Sequence, residues 1–344
     1  MSVDTHSKSF TKDELCASLR TLGLPIGACT LCHSSLLEFG IPELKGENLC
    51  HFYLDAFFKV TGEQSIFVLP AFSYSFCQKQ DFDPLHTHSS VNSMSNYCID
   101  HGLGVRTIDP IFSYIFVTLH DLRRYEHLNP HAKDHFSALD DAPLANPLIA
   151  PENSPYNQLR QLEFSNEPLA FYGKSIVSFL QERNAYYLML GKTYHISLLH
   201  NIETKIQSPY RFYKPFTGKI VGKAVAENYA QGMDFTCNYM VRVFIDNTII
   251  NFPKMTNTIL SWRSLPHFKD AFKDMDLGKS HISVAPLHIM LEQIEAQFKQ
   301  DLLWPCNGPE LSTEEIEALE AQENTRVTTI QTQDYPVIDL NCYY

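Results

Sequence analysis

Between Ala28 and Leu69 the chain reads strand, helix, strand, and that order narrows the available folds more than any other stretch. Ala28 to Cys32 is a short apolar run, followed by a turn through His33-Ser34-Ser35-Leu36-Leu37-Glu38-Phe39-Gly40. Past Pro42 and Gly46 comes a helix in which Leu49, Phe52, Tyr53, Ala56, Phe57 and Val60 recur at i, i+3, i+4. Such a stripe belongs to a helix that buries one face, so it is core and not a site. Ser65 to Leu69 is a second apolar strand, ending at Pro70-Ala-Phe-Ser73. Short strands alternating with amphipathic helices make an α/β sheet. Upstream, Thr11-Lys-Asp-Glu14 is a capping box that opens a helix burying Leu15, Cys16 and Leu19, with Gly23 and Pro25 to end it.

The same pattern continues downstream. Val91 to Ile99 reads as a short helix, and Tyr114 to Val117 and Tyr186 to Leu190 as buried strands. Met240 to Ile245 and Ile249 to Phe252, joined by Asp246-Asn-Thr, read as a β-hairpin, and Pro286 opens a helix with Leu287, Met290, Leu291, Ile294 and Phe298 on one face. With 344 residues, 44% of them hydrophobic, one large domain over residues 1–310 is expected. Residues from about 125 to 170 are rich in Pro, Asn, Asp and Ser and form a loop-rich insertion, a lid or a substrate wall. Residues 311–344 would add a helix capped by Ser312 and Glu315 and an acidic tail.

Charge and cysteines exclude several classes. The net charge is −12, and half of it lies beyond residue 310, where seven carboxylates face Arg326 alone. An acidic chain is a poor partner for nucleic acid, which needs a basic face, and is compatible with a cationic small molecule. No apolar run approaches the ~20 residues of a membrane span, and the N-terminus lacks an apolar signal core, so a cytoplasmic protein is expected. Nine cysteines, an odd and scattered set, fit reduced thiols. Cys29-Thr-Leu-Cys32-His33 matches the c-type haem attachment pattern, but no export signal accompanies it. His86-Thr-His88 is half a metal site with no second half. Neither haem nor metal is expected.

Acid/base chemistry concentrates just past the strand Tyr186–Leu190, which Gly191 ends. A helix beginning near Ser197, with its hydroxyl as cap, sets His200 and Glu203 three residues apart on one face. A carboxylate there holds the imidazole in one tautomer and stabilises the imidazolium, as a general base requires. The same pair also makes an ordinary surface ion pair, but open α/β sheets place their ligands at this edge. Arg106, Thr107, Asp109 and Ser113 are further polar groups at a strand mouth, with a turn at Asp109-Pro110 as the plain alternative.

Taken in order, seven pieces resemble the aminoglycoside 3-N-acetyltransferase family over roughly residues 10–305. They are His33-Ser-Ser-Leu36 with Gly40 and Gly46; Leu69-Pro-Ala-Phe-Ser73; Phe82-Asp83 with Ser89; Arg106-Thr-x-Asp-Pro-x-x-Ser113; Tyr172-Gly-Lys-Ser175; Leu190-Gly191; and Ser197-x-x-His200-x-x-Glu203. The continuation from Pro209 to Gly218 looks like the branch found with surface-polysaccharide and amino-sugar biosynthesis. The resemblance implies a three-layer α/β/α sandwich and an acetyl-coenzyme A-dependent N-acetyltransferase acting on a small amino sugar. Carried over, His200 is the general base, Glu203 orients it, and Ser197 stands where the family has Thr. His33, Ser34, Ser35, Leu36, Phe72, Ser73, Ser89, Arg106 and Ser113 fall on the coenzyme side, and Asp83, Asp109, Tyr210 and Arg211 on the acceptor side. An antibiotic-modifying enzyme and a non-catalytic protein of the same fold are the alternatives, and the partners expected are the amino sugar, acetyl-coenzyme A and a second copy in a homodimer. Two departures bear on the coenzyme: Asn92 replaces a turn glycine, where Asn would tolerate left-handed backbone, and Glu47 replaces the second of a glycine pair.

Overall fold

The computed structural model describes residues 9–129, 155, 176–206, 208, 211–222, 232–242 and 251–306. Its spine is a sheet of β1 (Cys29–Ser34), β2 (Ile66–Pro70), β3 (Val105–Arg106), β4 (Tyr114–Thr118), β5 (Tyr186–Leu190), β8 (Lys273–Leu277) and β9 (Ser280–Pro286), in the order β3-β4-β2-β1-β5-β9-β8. β1 pairs in parallel with β2 and β5, and the outer neighbours are antiparallel. β2, β4 and β5 are apolar almost throughout because helices cover both faces, while β1 between β2 and β5 also carries Thr30, His33 and Ser34. Odd-numbered residues of β1 and β5, such as Leu31, Tyr187 and Met189, join Leu180, Ile202, Ile259 and Ile294 on one face. Cys32, Leu188 and Leu190 join Leu19, Phe52, Phe57, Met94 and Leu122 on the other. The architecture is therefore a three-layer α/β/α sandwich.

The local signals act as read. Thr11 and Glu14 close the capping box on the helix Lys12–Thr21, and Leu15, Cys16 and Leu19 are buried. The helix Leu49–Thr61 buries nearly every side chain, its N-terminus capped by Asn48, whose carboxamide accepts from the Cys50 N–H at 2.8 Å. The helix Leu287–Gln300 follows Pro286, with Leu287, Met290, Leu291, Ile294 and Phe298 inward.

Three readings are corrected. β1 runs two residues past Cys32, so His33 and Ser34 belong to the strand. The helix bearing His200 starts at Leu199, and Ser197 lies ahead of it in the loop. Of the hairpin expected from Met240 to Phe252, Met240–Arg242 belong to β7 (Met233–Arg242), which pairs with β6 (Arg211–Ile220), Phe252 starts a helix, and residues 243–250 lie outside the described residues. Phe252 is helical because Asn251 caps the helix by accepting from the Lys254 N–H at 2.8 Å and Pro253 occupies its first turn. The β6/β7 ribbon docks beside Phe76 at Gly218, where an added Cβ would lie 2.6 Å from the Phe76 ring. No helix among the described residues is long and apolar enough to cross a membrane. The insertion, the capped helix at Ser312 and the acidic tail lie outside the described residues, apart from the insertion's edges and Pro155.

Candidate active site

The carboxyl ends of β1, β2 and β5 open at one edge of the sheet, where a parallel sheet leaves a crevice between diverging loops. A cavity of about 250 Å³ sits there, walled by His33, Ser34 and Ser35 at the end of β1, Pro70 and Phe72 at the end of β2, and His195, Ile196, Ser197, Leu199 and His200 after β5. Gly191, at φ +142°, lets the chain leave β5 in a direction L side chains resist, with an added Cβ only 3.0 Å from Ser35.

His200 and Glu203 meet within one helical turn: Nδ1 lies 2.6 Å from Glu203 Oε2. The Glu203 side chain is fully buried and the His200 ring is 24% exposed, so the imidazole stands between a dry carboxylate and the cavity. Phe112 lies against it, ring centroids 5.2 Å apart. Glu203 thereby engages Nδ1 and holds the ring in one tautomer.

Ser197 is fixed from two sides. Its N–H donates to His33 Nε2 at 2.9 Å, and its Oγ accepts from the Tyr114 hydroxyl at 3.2 Å. His33 must therefore carry its proton on Nδ1. Burial, with His195 nearby, lowers its pKa to about 3, so the ring is neutral. His195 in the same wall is also lowered by burial, against the pull of Glu38. A consequence is measurable. An unfolded His33 binds a proton near pH 6.5 and the folded one only near 3. Its contribution is fully present above the unfolded value and is lost as pH falls, by about 1.4 kcal/mol per pH unit between the two. His33→Gln should flatten the acid side of a plot of unfolding free energy against pH by about that slope.

Comparison with known proteins is decided by shape. No protein-family profile matches the sequence, and no curated protein matches it. Among solved structures, the aminoglycoside acetyltransferase AAC(3)-IVa apoenzyme superposes with a TM-score of 0.56 at 18% identity, covering 93% of this chain and 100% of its own. AAC-IIIb, solved as a binary complex with CoASH, gives 0.57 at 12% identity over 84% of this chain and 96% of its own. The fold is that of the aminoglycoside 3-N-acetyltransferases. YokD from Bacillus subtilis is a third match, TM-score 0.51 at 15% identity over 84% of this chain and 93% of its own. At these identities the likeness is one of fold.

Against that acetyltransferase fold, the residues marked in the sequence divide. His33, Ser34, Ser35, Phe72, Ser197 and His200 line the cavity, and Glu203 stands behind His200. Leu36 turns into the core. Ser73 donates to the Pro110 carbonyl at 2.9 Å, and Ser89 to the Phe72 carbonyl at 3.3 Å, so both tie loops together. Arg106 lies buried over Phe82, donating to Ser113 Oγ at 3.0 Å, the Ala71 carbonyl at 2.7 Å and the Thr87 carbonyl, while Ser113 donates to Ala71 at 2.8 Å. These two staple loops together and are not in the cavity wall. Asp109 accepts from the Ile111 and Phe112 N–H groups at 2.7 and 2.8 Å, and burial raises its pKa to about 6. Asp83 accepts from the Leu85 N–H at 2.9 Å and contacts His86 at 2.8 Å. Both aspartates thus shape turns. Tyr210 lies outside the described residues, and Arg211 is described only as backbone in β6.

The two departures are also placed. Asn92 is not left-handed: at φ −148° it is extended, and its carboxamide accepts from the Met94 N–H at 2.9 Å to cap the helix Ser93–Asp100. Glu47 pairs with Lys12 at 2.7 Å, beside Asp55, and is not in the cavity wall. Cys29 and Cys32 fall on opposite faces of β1, and burial pushes their thiols up, that of Cys29 to about 12. His88 pairs with Asp100 at 2.7 Å, and no group of three or more His, Cys, Asp or Glu among the described residues could hold a metal. Sequence reasoning missed His195, Tyr114 and Phe252, while Asn92, marked in the sequence as bearing on the coenzyme, does line the cavity. What the sequence reading overlooked at Asn92 was its part as a helix cap, a readable signal ahead of Ser93–Asp100.

Proposed function

We propose that the protein is an acetyl-coenzyme A-dependent N-acetyltransferase that acylates the amine of an amino sugar, with His200 as general base. The observation that carries this is the 2.6 Å contact of His200 with the buried Glu203, at the edge of a cavity formed by the carboxyl ends of parallel strands. The fold neighbour solved with CoASH, and another of the same fold solved with a gentamicin, support the pairing of a thioester with an amine.

The wall suits a coenzyme arm. Ser34 Oγ and His33 Nδ1 are buried beside the cavity with no partner among the described residues, and Ser35 lines it, so polar groups face a linear chain of amides and a thioester. The thioester supplies an activated acyl group. A sugar amine is mostly protonated in neutral water and must present a lone pair to the acyl carbon. The ammonium proton is lost to solvent before attack; His200 takes a second proton from nitrogen as the new C–N bond forms, Glu203 stabilises the resulting imidazolium, and the C–S electron pair leaves with the thiolate, which takes its proton from the imidazolium or solvent. The negative net charge favours approach of a cationic acceptor.

A second acceptor is an aminoglycoside, favoured by the gentamicin, apramycin and sisomicin complexes of the fold neighbours. The two are separated by mixing the protein with acetyl-coenzyme A and either hexosamine-type amino sugars or aminoglycosides, while following free coenzyme A thiol. Amine-dependent thiol release with the first set supports the proposed acceptor. Release only with the second moves the reading to drug modification, and release with neither amine class goes against transferase activity on aminated sugars.

A further inference from the structure

We propose that Tyr114 is a positioning residue that turns the Ser197 hydroxyl proton into the cavity, making Ser197 Oγ–H the donor to the oxyanion of the tetrahedral intermediate. The inference rests on the acetyltransferase reading and adds a part to it.

Two donors at Ser197 could face a developing oxyanion, and the structure removes one. The backbone N–H is committed to His33 Nε2 at 2.9 Å. The hydroxyl remains. It accepts from Tyr114 at 3.2 Å, and because a serine hydroxyl has a single proton, that proton must point away from Tyr114. Ser197 lines the cavity three residues before His200, whereas Tyr114 is not in the wall. Tyr114 therefore acts only through Ser197.

Tyr114 is well held for this task. It is the first residue of β4, paired with Pro70 of β2, and its N–H donates to Thr107 Oγ1 at 2.9 Å. Its ring packs edge-on against Phe72 with centroids 5.3 Å apart. Burial raises the phenol pKa, so the hydroxyl keeps the proton it donates. Two hydroxyls in series polarise each other, which strengthens the outer donor. When the amine adds to the thioester, the carbonyl electron pair moves to oxygen and is met by the Ser197 O–H. No proton is transferred at this atom, and collapse returns the pair to the carbonyl as the thiolate departs.

The test uses acetyl-coenzyme A labelled with 13C at the carbonyl, bound to wild type, Tyr114→Phe, Ser197→Ala and the double variant. The infrared carbonyl band reports the hydrogen bond directly. Wild type should shift it to lower frequency, Ser197→Ala should abolish most of the shift, and Tyr114→Phe should reduce it with coenzyme affinity unchanged. With an accepted amine, Ser197→Ala should lower kcat by about 10²-fold and Tyr114→Phe by about tenfold. The double variant should be no slower than Ser197→Ala, since Tyr114 works through that hydroxyl. A wild-type band position in Tyr114→Phe, or rate losses that multiply in the double variant, would overturn the proposal. Should Tyr114→Phe fail to fold, a retained shift in Ser197→Ala overturns it equally. Failure of wild type to bind acetyl-coenzyme A at all is a different result: it removes the acetyltransferase reading and this inference with it.

Discussion

Replacing His200 with Ala is expected to lower kcat by about 10²–10⁴-fold, the contribution of a positioned general base. The residual rate would come from proximity and from donors to the oxyanion. Stability should fall modestly, because Glu203 is fully buried and loses the ring that contacts it at 2.6 Å. A lost partner for a buried group costs roughly 1–3 kcal/mol. His200→Gln separates the two effects, since its amide can still donate to Glu203 but offers no basic nitrogen. Steady-state rates and thermal melts on both variants check the point. Equal rate losses with different melting temperatures are expected, and a wild-type rate in either variant removes His200 as the base.

Glu203→Gln is the second large effect. The amide keeps the shape of the side chain in its buried site but cannot offset the charge that His200 acquires. In serine-protease triads the corresponding change costs about 10⁴-fold, and a loss of about 10²–10⁴ is expected here. Because Glu203 touches His200 and not the cavity, the loss should fall on kcat, with the acetyl-coenzyme A affinity unchanged. The double variant His200→Ala/Glu203→Gln should be no slower than His200→Ala alone, as expected for residues that act as one unit. Additive losses would show that Glu203 works through something other than the imidazole.

Periodicity made the sandwich legible. The stripe from Leu49 to Val60 could be read directly from its helical period, and the strands around it from short apolar runs bounded by turn residues. His200 and Glu203 were legible for the same reason: one helical turn brings i and i+3 together. The ribbon was not, since alternation within Met240–Ile245 fits any partner strand and only Asn251-Phe-Pro253 marks where β-structure must have ended. Arg106 shows a deeper limit. A guanidinium that binds a ligand and one that staples loops share the same letter, and here its acceptors include backbone carbonyls of Ala71 and Thr87, which no sequence pattern records. Tyr114 and Ser197 are 83 positions apart, and only the sheet order brings them within 3.2 Å. Asn92 was misread through its tolerance of left-handed backbone, while its commoner role as a helix cap decided the outcome.

The claim on which the rest depends is that the cavity at the carboxyl ends of β1, β2 and β5 accepts acetyl-coenzyme A. Isothermal calorimetry of the full chain, stripped of bound nucleotide, measures this with no acceptor required. The account predicts saturable binding at one site with a micromolar dissociation constant, about −8 kcal/mol. A folded protein that gives no binding heat and no rise in melting temperature with acetyl-coenzyme A would contradict it, and would leave a non-catalytic protein built on an acetyltransferase fold.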